Sequence, residues 1–542
     1  MKFIILISLF SLSNFLFSQR NTKPKLVVGI VIDQMCYEYL YRYQPNFSKN
    51  GFNRFLNQGV NYRNTLYNYV PTYTGPGHAS IYTGTTPSNH GIIGNEWYDK
   101  DKQQTINCVA DENYRSIGTT SLEGNCSPKN LKTYTITDQL KLTYPTSKVF
   151  SFSIKDRGAI LPGGHLSNGS FWYDYSSGKF ITSSYYTAQL PEWLKEFNSV
   201  NNAGTYLKKW DLLLNETMYG SADDSPYEVI ISGKEKAVFP YDFPSIENNM
   251  SVFTLSPFAN TLLTDLTISA LNNENLGKSK ECDFLAISYS TPDIAGHAFG
   301  PHSRELEDMY YRLDREIARL IDKLEQQVGK KNLVVFLTAD HAVVPVPQML
   351  IDKNLPGGYI YMDKLQQSLR EALKTDLGIK EELILIEKNQ HFYLNHSVIK
   401  SENYSLQQIT NTMKKILLEW PGIKAVYTKE ELMLEKGVED EWKTMVRKGF
   451  DYNRSGDVVF LVEPGYLTKI TDSPKAHQGT SHGSSFNYDA HVPLLWYGRT
   501  WKKTDIFSPY EITDIAPTLV HLMNLQRPGA MTGSPLLELL KK

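Results

Sequence analysis

Three apolar runs of this sequence end in carboxylate or imidazole side chains, and this pattern restricts the fold more than any other feature. Each run has the length and apolar content of a buried strand. The runs at 25–32, 284–289 and 333–339 are followed by Asp33, by Asp293 and His297, and by Asp340 and His341. Strand ends that release such side chains are typical of α/β proteins, whose ligand sites lie at the carboxyl edge of the sheet. The sequence therefore predicts an α/β fold with a divalent-metal site at that edge.

Composition narrows the class of partner. The 542 residues are 41% hydrophobic and 21% charged, as in an ordinary globular protein that is large enough for one elaborated domain or two to three smaller ones. The formal net charge of -2 and the lack of a long basic run give no electrostatic reason to expect nucleic-acid binding. We expect a small-molecule ligand, and the sequence does not identify protein partners.

The N-terminus has the features of a cleaved signal peptide. Met1-Lys2 precedes the apolar run 3–12, and small and polar residues continue to Ser18-Gln19. We therefore expect residues 1–18 to be removed and residues 19–542 to be exported, either to the periplasm or out of the cell. Stable membrane insertion is not expected, because no later stretch reaches about 20 apolar residues.

The four cysteines do not resemble a zinc thiolate cluster, because they are not closely paired in the sequence. Cys108 and Cys126 flank a polar loop, so an oxidising compartment leaves open whether they form a disulfide or stay as buried thiols.

Alternating helix and strand signals extend along the whole mature chain. Apolar residues recur at the helical period from Glu305 to Gln327, which predicts a helix that packs against the sheet. Between about 350 and 465, amphipathic helices at 364–374 and 405–419 alternate with short strands, and few candidate ligands occur. We interpret this stretch as an inserted α+β subdomain, after which residues 490–497 return to the main sheet.

Two further segments complete the candidate site. Thr74 precedes a Gly-Pro-Gly turn and an amphipathic run that can begin a helix, where free backbone N–H groups favour an anion. A helix-capping threonine is the simpler interpretation of Thr74 taken alone. The loop 476–484 carries His482 between serine and glycine residues.

Taken in order, these motifs resemble the alkaline phosphatase superfamily, which includes nucleotide pyrophosphatase/phosphodiesterases, sulfatases and cofactor-independent phosphoglycerate mutases. The most specific parts are the Asp-x-x-Gly-His-x-x-Gly-Pro string that begins at Asp293 and the Asp340-His341 pair. The resemblance covers nearly the whole mature chain. It implies an α/β fold with an alkaline-phosphatase-like, mostly parallel central sheet flanked by helices.

The resemblance also implies two Zn²⁺ ions. The first ion would be bound by Asp293, His297 and His482. The second would be bound by Asp33, Thr74, Asp340 and His341. His302 is a rival ligand to His297, but its position after Gly-Pro matches the family less well.

The nucleophile separates the branches of the superfamily. Sulfatases convert a Cys or Ser to formylglycine, and Thr74 cannot undergo that conversion, so a sulfatase is not expected. Threonine is shared by the phosphodiesterases and the PafA-type (phosphate-irrepressible) alkaline phosphatases, and it does not decide between them.

A Lys-x-Arg pair favours the PafA-type branch. Lys155 and Arg157 follow an apolar run at 149–154, and Asn95 lies in a Gly-Asn-Glu segment. The resemblance implies that these three side chains contact the phosphoryl oxygens. Two added cations would neutralise a monoester dianion, whereas a diester carries only one charge and a further substituent.

The sequence thus predicts an exported, zinc-dependent phosphomonoesterase that releases phosphate through a phosphothreonine at Thr74. A phosphodiesterase with the same metals is the nearest alternative. An exported metal- or phosphate-binding protein without activity is the alternative outside the enzymes.

Overall fold

The computed structural model describes residues 23–231, 233–246, 249–434 and 440–541. The predicted signal segment, residues 1–18, lies outside these ranges. No helix within them is both long and apolar enough to cross a lipid bilayer.

A ten-stranded sheet forms the centre of the molecule. In chain order its strands are β1 Leu26–Ile32, β2 Val60–Leu66, β3 Ser116–Ile117, β4 Val149–Ser153, β5 Gly169–Asp174, β6 Lys179–Ser183, β7 Asp283–Tyr289, β8 Leu333–Thr338, β9 His491–Gly498 and β10 Thr504–Glu511. The spatial order is β10-β2-β9-β8-β1-β7-β4-β5-β6-β3. All strands except β6 and β9 run in the same direction, so the sheet is mixed but mostly parallel, as predicted.

Helices cover this sheet. Outside residues 358–469, the helices of seven residues or more within the described ranges are α1 Phe52–Gln58, α2 Thr74–Thr83, α3 Ile136–Thr143, α4 Asp156–Gly163, α5 Glu192–Val200, α6 Phe258–Asn273, α7 Thr291–Phe299, α8 Arg304–Val328 and α9 Ile515–Met523. Every residue of β1, β7 and β8 is buried, which is the pattern of parallel strands covered on both faces. The predicted helix 305–327 is confirmed as α8, whose first turn is capped by the Ser303 side chain.

A second, smaller sheet has its own core. Its order is Ile384–Lys388, His391–Leu394, Val458–Val462 and Ile423–Thr428, and a separate parallel pair joins Gly358–Tyr361 to Tyr466–Lys469. The accompanying helices are Met362–Leu377, His396–Ser401, Leu406–Glu419, Lys429–Met433 and Glu441–Gly449. Buried Leu365, Phe392 and Phe460 belong to a hydrophobic cluster distinct from the central one. We call the described residues between 358 and 469 the small-sheet region.

Candidate metal and phosphoryl site

The polar residues at four strand ends converge at one edge of the central sheet. β8, β1, β7 and β4 are consecutive and parallel, with Val31 level with both Thr338 and Ser288. Asp33 follows β1, Asp340 follows β8, and Lys155 follows β4 after one intervening residue. Because parallel strands end at the same edge, a short extension of each chain suffices to bring these side chains into contact.

Thr74 is the first residue of α2, and Tyr73 before it has an extended backbone. The helix begins directly beside the carboxylates: a Cβ on Gly77 would lie only 2.2 Å from the Asp340 carbonyl oxygen. Glycine at this position therefore permits the close approach. Thr74 Oγ1 lies 3.4 Å from His341 Nε2, and the residue is buried.

The first group of candidate ligands combines one carboxylate with two imidazoles. Asp293 and His297 lie four residues apart on α7, so their side chains share one helix face. His297 Nε2 is 3.2 Å and His482 Nε2 is 3.7 Å from Asp293 Oδ1. Their ligand atoms lie within 4.8 Å of one another.

The second group lies deeper. Asp33, Asp293 and His341 also have ligand atoms within 4.8 Å of one another, so Asp293 belongs to both groups. His341 Nε2 is 3.3 Å from Asp33 Oδ1 and 3.8 Å from Asp340 Oδ2. Asp33, Asp340 and His341 have no solvent-exposed side-chain surface.

All three histidines are held in the same way. The Nδ1 atoms of His297, His341 and His482 lie 2.8, 2.9 and 2.7 Å from the backbone carbonyl oxygens of Thr480, Ala342 and Thr72. A carbonyl can only accept, so each Nδ1 carries the proton and donates it. In the neutral imidazole this leaves the Nε2 lone pair facing the carboxylates, as in a metal-binding histidine.

These residues fit a divalent cation. Neither Asp33 Oδ1 nor Asp340 Oδ2 receives a hydrogen bond from the described residues, although both atoms are buried. A buried carboxylate oxygen without a hydrogen bond is costly unless a cation meets it. Carboxylate oxygens beside imidazole nitrogens form a donor set that suits zinc and related metals.

Lys155 joins the two ligand groups. Its ammonium donates to Asp33 Oδ2 at 2.7 Å and also to Asp293 Oδ2. Burial would lower the pKa of Lys155, but the charges of Asp293 and Asp33 outweigh it and raise the pKa. Burial would likewise raise the pKa of Asp293, yet His297 and Lys155 hold that pKa well below its ordinary value. The centre is therefore strongly charged.

Arg157 and Asn95 border the same centre. Arg157 lies in the first turn of α4. Its Nη1 lies 3.3 Å from Asp156 Oδ1, and its buried Nε has no acceptor among the described residues. Asn95 Oδ1 accepts the Gly75 N–H at 2.7 Å. That bond places Asn95 at the start of α2, one residue from Thr74.

Two residues that support the site were missed from the sequence. Gln34 has a left-handed backbone (φ 67°), and its side-chain amide donates to Asp293 Oδ1 at 2.6 Å. Asp489 Oδ2 accepts the N–H groups of Gly483 and Ser484 at 2.8 and 2.6 Å, which fixes the loop after His482. Adjacency to Asp33 is the one sequence signal for Gln34, and Asp489 has none.

Two open questions from the sequence have structural answers. His302 Nε2 lies 3.2 Å from Arg42 Nη2, and His302 belongs to neither ligand group. Cys108 and Cys126 are both free and buried in the apolar cluster that includes Ala79 of α2. Of the two rival histidines, His297 is therefore the one that lies with Asp293 and His482 among the described residues.

The sequence is similar to proteins of one enzyme family. The family described as Type I phosphodiesterase / nucleotide pyrophosphatase matches residues 27–485. Alkaline phosphatase PafA of Elizabethkingia meningoseptica is 37% identical over 525 residues, which cover 96% of this chain and 95% of that protein. Alkaline phosphatase PhoV of Synechococcus elongatus is 38% identical over 531 residues, covering 97% and 94%.

The fold of the chain is also similar to that of a solved alkaline phosphatase. The crystal structure of wild-type alkaline phosphatase PafA superposes with a TM-score of 0.90 at 37% identity and covers 95% of this chain and 99% of that one. The chain therefore belongs to the type I phosphodiesterase/nucleotide pyrophosphatase family and, within the alkaline phosphatase superfamily, to the PafA-type alkaline phosphatases.

Proposed function

We propose that the protein is an exported, zinc-dependent phosphomonoesterase that transfers the phosphoryl group of its substrate to Thr74 before hydrolysis. The observation that carries this proposal is the position of Lys155, between the carboxylates of Asp33 and Asp293 and two residues before Arg157. Lys155 beside these carboxylates and Arg157 two residues later supply two cationic side chains, which match the charge of a phosphate monoester dianion.

The metal ions would be held by seven residues. Asp293, His297 and His482 would bind one Zn²⁺, and Asp33, Thr74, Asp340 and His341 would bind the other. When bound, two such ions lower the pKa of a hydroxyl group and stabilise the charge on the attacking and leaving oxygens. The fixed Nε2 atoms of the three histidines and the buried oxygens of Asp33 and Asp340 that receive no hydrogen bond support this assignment.

The protein side chains then have separate roles. Thr74 gives up its hydroxyl proton to water and its Oγ1 attacks phosphorus, the bond from phosphorus to the ester oxygen breaks, and the released alkoxide takes a proton from water. Water next attacks the phosphothreonine, which releases inorganic phosphate and restores the Thr74 hydroxyl. Lys155, Arg157 and the Asn95 amide bind the phosphoryl oxygens during both steps, because the carboxylate charge is then met by the metal ions.

Charge supports the monoesterase over the phosphodiesterase. Two Zn²⁺ ions carry four positive charges, which three aspartates and the Thr74 alkoxide balance. A dianion entering this neutral site would be neutralised by Lys155 and Arg157. A diester has one charge, and its second substituent would compete with those side chains for space.

A comparison of substrates tests the proposal. Rates on an aryl phosphate, its methyl diester and the aryl sulfate would be measured on metal-analysed protein, before and after chelation and zinc addition. We expect bound zinc, fastest turnover of the monoester, loss of turnover on chelation and recovery with zinc. A faster diester would favour the phosphodiesterase, and a metal-loaded protein without turnover would favour a binding protein. N-terminal sequencing of exported protein should begin near Gln19.

A further inference from the structure

The tip of a hairpin in the small-sheet region contacts the segment that carries Asn95. We propose that Asn389 is a positioning residue, which holds the Asn95 amide against the phosphoryl group of the substrate. The inference rests on the proposed function, since it needs Asn95 to contact substrate.

The hairpin tip has a defined geometry. Strands Ile384–Lys388 and His391–Leu394 are antiparallel, and Lys388 pairs with His391, so Asn389 and Gln390 form a two-residue turn. Both have positive φ values, 56° and 65°. A turn with two left-handed residues matches the twist of the strands, and asparagine tolerates that backbone better than most residues.

This turn touches the backbone on both sides of Asn95. Asn389 Nδ2 donates to the Glu96 carbonyl oxygen at 2.6 Å. On the other side, a Cβ on Gly94 would lie 2.4 Å from the same Nδ2 atom. The lack of a side chain at residue 94 is therefore what lets the hairpin approach so closely.

Asn95 itself is fixed at two further atoms. Its carbonyl oxygen accepts the Cys108 N–H at 2.9 Å, and its Oδ1 accepts the Gly75 N–H at 2.7 Å. Since Oδ1 is used by the helix, the amide NH₂ is the group left to donate, and it has no acceptor among the described residues. An amide donor that is fixed through its oxygen and has no acceptor suits a phosphoryl oxygen.

Arg454 also connects the small-sheet region to the segment around Asn95. Arg454 Nη1, from the small-sheet region, donates to the carbonyl oxygens of Gly91 and Asn130 at 2.5 and 2.7 Å. Its guanidinium lies 4.8 Å from the centroid of the Trp97 ring. The segment 91–97 is thus held along its length by the small-sheet region, and Asn389 holds the peptide next to Asn95.

A double-mutant cycle tests the role of Asn389. Asn389→Gly removes the amide but keeps a residue that accepts positive φ, and Asn389→Asp keeps the shape but places an acceptor against the Glu96 carbonyl. Each is made alone and with Asn95→Ala. Lys388→Ala is the matched control, because it removes an ion pair to the Glu96 side chain and leaves the carbonyl contact in place.

We expect both Asn389 variants to lower kcat/KM for an aryl phosphate by about 3- to 20-fold and to weaken inhibition by inorganic phosphate, because small displacements of a positioned group are costly. With Asn95→Ala already present, either change should cost less than about 1.5-fold, the result for residues that act through one another. Lys388→Ala should change kcat/KM by less than about 2-fold.

Equal losses in both backgrounds, accompanied by a lower Tm, would overturn the positioning role and leave the proposed function intact. Undiminished kcat/KM in Asn389→Gly and Asn389→Asp would also overturn it. If Asn95→Ala alone leaves monoester turnover unchanged, the role of Asn95 in the proposed function fails, and the positioning role fails with it.

Discussion

The two ligand groups share Asp293 but differ in their access to solvent. In the deep group, the side chains of Asp33, Asp340 and His341 are completely buried beneath the start of α2. In the open group, the His297 side chain is 35% exposed. On the proposed function, the nucleophile therefore acts from the closed side, and the alcohol of the substrate must leave past His297. Lys155 contacts both groups and belongs to neither.

The largest effect on activity should come from changing Thr74, the proposed nucleophile, which lies beside the deep group. Thr74→Ala removes the attacking oxygen and should lower kcat/KM on an aryl phosphate by about 10³-fold or more, the scale seen when a nucleophile is deleted. Thr74→Ser keeps the hydroxyl and should retain much more activity. Metal analysis of both variants is the control. Substantial turnover by metal-loaded Thr74→Ala would mean that another group attacks phosphorus.

Removing one histidine from each group tests the difference in access directly. His297→Ala and His341→Ala should each lower the rate by about 10²-fold or more, because changes around a metal that are smaller than losing a ligand already cost 10–100-fold. Added imidazole should raise the rate of His297→Ala about tenfold, because solvent reaches that position. It should restore nothing in His341→Ala. Equal rescue of both variants would contradict the assignment of a closed and an open side.

The next largest effect on activity should come from removing Lys155, which joins the two ligand groups, together with Arg157. Lys155→Ala/Arg157→Ala should reduce monoester kcat/KM by about 10²- to 10³-fold, since charge-assisted hydrogen bonds contribute about 1.5–3 kcal/mol each. Diester turnover should change little. Both rates would be measured on an aryl phosphate and its methyl diester. Equal losses on both substrates would show that the pair supports the metal groups generally, and the phosphodiesterase alternative would gain support.

The sequence predicted the parts of the site that follow from strand ends. Asp33, Asp340 and Lys155 could be found because an apolar run precedes each of them and parallel strands end together. The spacing of Asp293 and His297 also carried a signal, which the structure explains by their shared face on α7.

Contacts between distant segments could not be predicted in this way. Asp489 fixes the loop after His482, and Asn389 reaches a segment almost 300 residues away in the sequence. No local pattern marks such pairs, because the chain fold alone brings them together. The family resemblance supplied the roles of Asn95 and Arg157, which periodicity and spacing did not.

The smallest predicted effect concerns Glu387, which lies on the same hairpin as Asn389. Burial raises its pKa to about 7, although the Gln390 N–H donates to Glu387 Oε1 at 2.7 Å and opposes that rise. The folded pKa exceeds the ordinary value of 4.5, so the stabilising contribution is complete below about pH 4.5 and is lost as the pH rises through about 7.

Glu387→Gln removes this dependence. The Tm of the variant relative to wild type should therefore rise by about 1–3 °C between pH 5 and 8 in matched thermal scans of metal-loaded protein. Lys388→Ala removes a charge that lowers the Glu387 pKa, so the Tm of that variant relative to wild type should not rise over this range. A Tm difference between Glu387→Gln and wild type that stays constant over this range would show that the Glu387 carboxylate is ionised at no cost. The hairpin that carries Glu387 and Asn389 would then be better solvated than its burial indicates.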